Sequence, residues 1–141
     1  MPSITPYLVF DGNCADAMRF YERVLGGKLE RMMTFGDMPA GDSKPQPDTA
    51  NRIAHARLDL RDGVLMASDT MPSHPYEGIK GCSVSLTYTS AAESKRIYDA
   101  LSEGAKQVSM PFQKTFWSEG FGMFTDRFGT PWMVNTEAKG A

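Results

Sequence analysis

Residues 51–69, NRIAHARLDLRDGVLMASD, admit few local structures. Ala54, Ala56, Leu58 and Leu60 alternate with His55, Arg57 and Asp59. A β-strand sends successive side chains to opposite faces, so this pattern puts three ionisable groups on one side and aliphatic groups on the other. Asp62-Gly63 reads as a tight hairpin turn, with 64–69 returning as a second strand. Alternation alone fits a sheet with one wet face as well as a sheet with one face lining a cleft.

The rest of the chain narrows that choice, because the same order of elements occurs twice. Residues 5–10 are a β-prone run ending at Asp11-Gly12-Asn13, which reads as a turn. Residues 15–25 carry Ala17, Phe20, Tyr21, Val24 and Leu25 at helical spacing, with Asn13 as a candidate cap and Gly26-Gly27 as the stop. A strand over 28–35 follows, then a Pro- and Gly-rich loop over 36–51 before the alternating hairpin.

A second Pro/Gly-rich stretch, 71–80, reads as a linker. Beyond it come an alternating strand over 81–89, a helix over 91–103, a strand over 105–112 and a loop over 114–120. Two strands, 121–126 and 130–135, then flank Arg127-Phe128-Gly129. The chain is thus read as one domain of two βαβββ modules, about 1–70 and 81–137, neither large enough to be comfortable alone. Helices covering one face of each sheet would take Ala54, Leu58, Val84 and Leu86. His55, Arg57, Asp59, Ser83 and Ser85 would then face a concave side.

Composition excludes several partners. A formal net charge of −2 gives no electrostatic reason for binding nucleic acid or an anionic membrane. No apolar run approaches the roughly 20 residues that span a bilayer, and the first ten residues do not read as a secretion signal. Cys14 and Cys82 form neither a CxxC pair nor a disulfide framework, so reduced thiols in the cytoplasm are expected. The ten methionines suit irregular core gaps or an adaptable apolar cavity.

Four stretches carry a family resemblance: YLVFDGNCADAMRFYERVLGG, FGDMP, IAHARLDLRDGVLMASD and QKTFWSEGFGMFTDRFGTPWMVN. Together they cover nearly the whole chain, which resembles the vicinal oxygen chelate superfamily (glyoxalase I, bleomycin resistance proteins, extradiol dioxygenases) and, within it, the PhnB-like proteins. The resemblance implies an α+β fold in which paired βαβββ modules form an open, barrel-like mixed sheet with a concave cleft and helices outside. It also implies a homodimer. A demethylubiquinone methyltransferase name is often given to such chains. No glycine-rich loop joins a strand to a helix here, so the sequence does not support that name.

In metal-using members, four inward positions supply His, Gln or Glu to a divalent cation. By the resemblance these fall on Thr5, His55, Ser83 and Met133. One imidazole, two hydroxyls and a thioether do not suit Zn²⁺, Mn²⁺ or Fe²⁺, so no metal and no cofactor are expected.

The expected ligand-binding set is His55, Arg57, Ser83, Ser85, Trp117 and Met133. His55 is a candidate acid–base group, a hydrogen-bond partner for a ligand, or a histidine held by Asp59, Arg57 or the backbone. Arg57 would clamp a carboxylate or phosphonate, or pair with Asp59. Phe116 and Trp117 offer an aromatic wall, as do Tyr7 and Trp132, the last more naturally a core residue. Glu119 is a loop acid and reads as solvated.

Cys14 precedes a helix whose dipole could lower its pKa, and Asp69 and His74 read as turn-capping, surface groups. Gly63, Gly122 and Gly129 read as backbone necessities. Three readings follow: a metal-independent binder of an unknown small molecule, a lyase, isomerase or transferase using His55, or a non-catalytic structural dimer.

Overall fold

The computed structural model describes residues 2–37 and 47–137. It separates into two compact units, with the boundary between Gly78 and Ile79. The fold is α+β, built on two open four-stranded mixed sheets. Most of the loop expected over 36–51 lies outside the described residues. Its ends are a 3-10 turn, Phe35–Asp37, and a four-residue helix, α2 (Pro47–Ala50).

Unit 1 contains β1 (Tyr7–Phe10), α1 (Cys14–Leu25), β2 (Lys28–Thr34), β3 (Ile53–Leu60) and β4 (Gly63–Asp69). The strand order is β1-β4-β3-β2, with β1 parallel to β4 and the other pairs antiparallel. α1 lies over β2, β3 and β4. Its buried residues are Cys14, Ala17, Met18, Phe20 and Tyr21, and the sheet buries Leu8, Phe10, Ala56, Leu58, Leu65 and Ala67. Each fully buried aliphatic or aromatic side chain contributes about 1.5–3 kcal/mol. Val24 and Leu25 are only half-buried. Gly26 ends the helix at φ 78°, its N–H donating to the Glu22 carbonyl.

Three local expectations need correction. Asn13 occupies the N-cap position, but its side chain does not cap. Instead Asp69 Oδ1, from the end of β4, accepts the N–H groups of Gly12 at 2.8 Å and Cys14 at 3.0 Å, while Oδ2 accepts that of Ile53 at 2.8 Å. Asp69 is therefore buried, not a surface residue. The hairpin loop is Arg61-Asp62, since Leu60 already pairs with Gly63, and neither loop residue has a positive φ.

Unit 2 contains β5 (Val84–Tyr88), α3 (Ala91–Leu101), β6 (Gln107–Gln113), β7 (Phe121–Thr125) and β8 (Pro131–Thr136), in the order β5-β8-β7-β6. Again the first strand is parallel to the last and the other pairs are antiparallel. Ser90 caps α3 by accepting the Glu93 N–H. Ser94, Ile97, Tyr98 and Leu101 are its buried residues, and α3 lies against β5 and β8. Gly122, Phe124, Trp132, Val134 and Thr136 are the buried residues of β7 and β8.

The turn over 126–130 is organised by a second buried carboxylate. Asp126 Oδ1 accepts the N–H groups of Phe128 and Thr130 at 2.9 Å each, and Oδ2 accepts the Trp132 indole N–H at 2.8 Å. Among the described residues no helix is long and apolar enough to cross a membrane.

Candidate functional site

Among the described residues, each sheet has one face covered by its unit's helix and one face turned away from that helix, and the second face carries the side chains with chemical potential. In unit 1, strand parity sends Ala56 and Leu58 to α1 and His55, Arg57 and Asp59 the other way. A register shift between Leu29 and Arg31 re-aims β2. Leu29 then stands beside Leu58, while Arg31 stands beside Arg57 and Met33 beside His55. Tyr7, Met66, Arg57 and Arg31 form one row across all four strands.

His55 is half-buried and engaged. Its Nδ1 lies 3.3 Å from the Tyr7 hydroxyl, and the two rings stack with centroids 5.9 Å apart. Arg57 Nε donates to Asp59 Oδ1 at 2.8 Å, with the two side chains 41% and 33% exposed. The Asp59 pairing left open by the sequence is therefore present. It occupies one edge of the guanidinium and leaves Arg57 beside the like charge of Arg31, an arrangement that an anion between them would relieve.

In unit 2 the uncovered face is softer. Ser85, Met133, Met123 and Met110 form one row across β5, β8, β7 and β6. Thr87, Asn135, Phe121 and Gln113 form the next. Trp117, in the loop before β7, is 44% exposed and meets Phe121 edge-on at 5.4 Å. Phe116 is 98% exposed and packs against Trp117. Ser83 is an exposed residue just before β5. Glu119 is exposed in its loop, and Trp132 is a core residue.

The structure thus brings His55 and Arg57 together in unit 1, and Ser85 and Met133 together in unit 2. Sequence reasoning missed Arg31, Met66, Met110, Met123 and Asn135. The signal was the parity of the neighbouring strands, which needs the register before it can be used.

Pairing also bears on the four metal positions. Tyr7 opposite Met66 in unit 1 matches Ser85 opposite Met133 in unit 2. The repeat therefore relates Thr5 to Ser83 and Met133 to Met66, whereas His55 corresponds to Phe121. Taken either way, the donors are hydroxyls, thioethers and one imidazole, which do not fit a hard or borderline divalent cation. Among the described residues, no group of three or more His, Cys, Asp or Glu side chains stands close enough to hold a metal.

Cys14 does not behave as a helix N-terminus would suggest. Burial, and then the negative charge of Asp69 beside it, push its thiol well above the usual range. The buried thiol is a core group, and Cys82 is the exposed one.

Comparison with known proteins gives a consistent neighbourhood. A model of the glyoxalase/bleomycin resistance protein/dioxygenase superfamily matches residues 3–134. Protein YjdN of Escherichia coli strain K12 is 42% identical over 141 residues, covering 94% of this chain and 93% of its own. The crystal structure of protein PA1353 from Pseudomonas aeruginosa superimposes with a TM-score of 0.89 at 52% identity, covering 97% of this chain and 98% of that one. A Bacillus cereus protein, titled a putative 3-demethylubiquinone-9 3-methyltransferase, PhnB protein, shares the fold with a TM-score of 0.76 at 20% identity, over 96% of this chain and 99% of its own.

Proposed function

The chain belongs to the glyoxalase/bleomycin resistance protein/dioxygenase superfamily, and we propose that within it the protein binds a small molecule without a metal ion. The observation carrying this reading is the uncovered face of each sheet. Those faces bear polar and polarisable side chains where a packed protein interior would place aliphatic ones: His55, Arg57 and Tyr7 in unit 1, Ser85, Met133 and Asn135 in unit 2. The proposed binding set also includes Ser83 and Trp117, and the proposal takes the protein as a cytoplasmic homodimer. Arg57 would take an acidic group of the ligand, and His55 with Tyr7 would donate or accept a hydrogen bond beside it.

The test is a thermal-shift panel of small carboxylates, phosphonates and aromatic antibiotics on metal-stripped protein. A ligand that binds only the folded state raises the melting temperature with concentration. Stabilisation with chelator present supports the reading. Stabilisation that requires added Zn²⁺ or Mn²⁺ overturns its metal-free part. A flat panel with a stable dimer assigns the protein to a structural role.

One observation favours a second reading. The Tyr7 hydroxyl lies 3.3 Å from His55 Nδ1, a long hydrogen bond beside a candidate acid–base group, and this supports a lyase, isomerase or transferase acting on a small oxygen-rich substrate. That reading requires a turnover lost in His55→Ala while the circular dichroism spectrum is unchanged.

A further inference from the structure

Among the described residues, one buried side-chain polar atom has no hydrogen-bond partner: Oδ1 of Asn135. Buried acceptors are nearly always satisfied, so an unpaired one in an otherwise well-bonded sheet calls for a donor. Asn135 has the strand parity of Met133, opposite to the buried Trp132 and Val134, so its amide belongs to the uncovered face of unit 2. Its cross-strand neighbours there are Thr87 and Phe121, and Trp117 meets Phe121 edge-on. The adjacent row carries three thioethers in succession, Met133, Met123 and Met110.

The chemistry of this surface differs from that of unit 1. Neither row contains an ionisable side chain, whereas the uncovered face of unit 1 holds His55, Arg57, Asp59 and Arg31. Thioethers and aromatic edges favour a flat, polarisable body, and a lone carbonyl acceptor favours an N–H or O–H presented from it.

We propose that Asn135 is a specificity residue whose Oδ1 accepts a hydrogen bond from an uncharged amide or hydroxyl group of a planar ligand lying on Met110, Met123, Met133 and Phe121. This rests on the reading of the protein as a small-molecule binder and names a chemical class of ligand for the unit 2 face.

Matched probes separate the donor from the body. Benzamide carries an amide N–H₂ on a flat ring, and N,N-dimethylbenzamide keeps the ring and carbonyl but has no donor. Titrations of the full-length protein, followed by the methionine methyl and Asn135 side-chain NMR signals, should show benzamide binding about fivefold or more tightly than its dimethyl analogue. The Met110, Met123 and Met133 methyl signals should move. Asn135→Leu should bring the two affinities together.

Asn135→Asp provides a second variant that keeps an acceptor at the same place. It should reverse the preference toward benzamidine, a cation of the same shape. Equal binding of the two amides to the unaltered protein, binding that leaves the three methyl signals unmoved, or no binding by either amide overturns the proposal. A preference that survives in Asn135→Leu, or an unchanged benzamidine affinity in Asn135→Asp, also overturns it. The broader binding reading stands or falls separately, on the carboxylate, phosphonate and antibiotic panel.

Discussion

Asp69 Oδ1 accepts the backbone N–H of Cys14 at 3.0 Å, so the last residue of β4 caps the first helix of its unit from 55 positions away in sequence. A helix N-terminus leaves backbone donors without intrahelical partners, and a carboxylate there satisfies them while meeting the positive end of the helix dipole. The same side chain also takes the Ile53 N–H, tying α1 to the start of β3. Asp69→Ala strands three backbone donors, those of Gly12, Cys14 and Ile53. The expected cost is about 3 kcal/mol or more, with Asp69→Asn intermediate because one oxygen remains. Urea unfolding followed by circular dichroism measures both; losses under about 0.5 kcal/mol would show that the carboxylate does not hold the helix.

The Cys14 thiol sits beside that carboxylate in the core, and its raised pKa makes it inert. Native protein should react with a thiol reagent at Cys82 alone, and at both cysteines after denaturation. The linkage has a definite sign. Above the ordinary thiol range the unfolded chain loses a proton that the folded chain keeps, so stability falls as pH rises from about 8.5. Comparing Cys14→Ala with the parent between neutral pH and pH 10 isolates this contribution. The parent should lose stability faster than the variant over that window.

Much of the fold was legible because it follows from short-range pattern. Parity in 51–69, the helical stripe containing Ala17, Phe20 and Tyr21, and the repeated order of elements all rest on residues close together in the chain. What was not legible depends on residues far apart. Asn13 has the chemistry of a cap, and nothing nearby reveals that Asp69 does the capping. Cys14 obeyed a local rule about helix termini until burial and a distant carboxylate overrode it. The two rows of unit 2 are a similar case. Ser85 and Met133 share a face by parity, but their alignment with Met123 and Met110 depends on register and on the shifts in β6. Asn135 has no motif at all, and only an unpaired atom marks it.

The Arg57–Asp59 pair allows stability to be separated from binding. Both side chains are partly exposed, so Arg57→Ala should change unfolding stability by less than about 1 kcal/mol. Its effect on an acidic ligand should be much larger, since a charge-assisted hydrogen bond contributes about 1.5–3 kcal/mol. Calorimetric titration of any carboxylate or phosphonate that stabilises the protein provides the comparison. Equal affinity for parent and variant would remove Arg57 from the binding set.

Asp126 and Trp132 make a similar argument for unit 2. The indole N–H donates to a fully buried carboxylate, and Trp132→Phe removes the donor while keeping an aromatic ring. The lost hydrogen bond to a charged group, with the volume difference, should cost about 2–4 kcal/mol. Because Asp126 also holds the N–H groups of Phe128 and Thr130, Asp126→Ala should cost at least as much. Both follow from denaturant midpoints, and near-parent values for either would show that the turn does not depend on this carboxylate.

Two glycines in strands give opposite expectations for one substitution. A Cβ on Gly122 would fall 2.4 Å and 2.8 Å from ring carbons of Tyr98, and 3.2 Å from the Phe112 Cα. Tyr98 cannot yield freely: it is buried and packed against the Phe124 ring, centroids 5.1 Å apart. Gly122→Ala therefore forces α3 away from β7 and should cost about 1–3 kcal/mol. Gly63 has nothing within 4 Å of the same position and no positive φ. Gly63→Ala should be neutral or stabilising by up to about 1 kcal/mol, because alanine reduces the freedom of the unfolded chain. Thermal and urea midpoints of the two variants decide the matter, and equal losses would mean that Tyr98 does not constrain the spacing of α3 and β7.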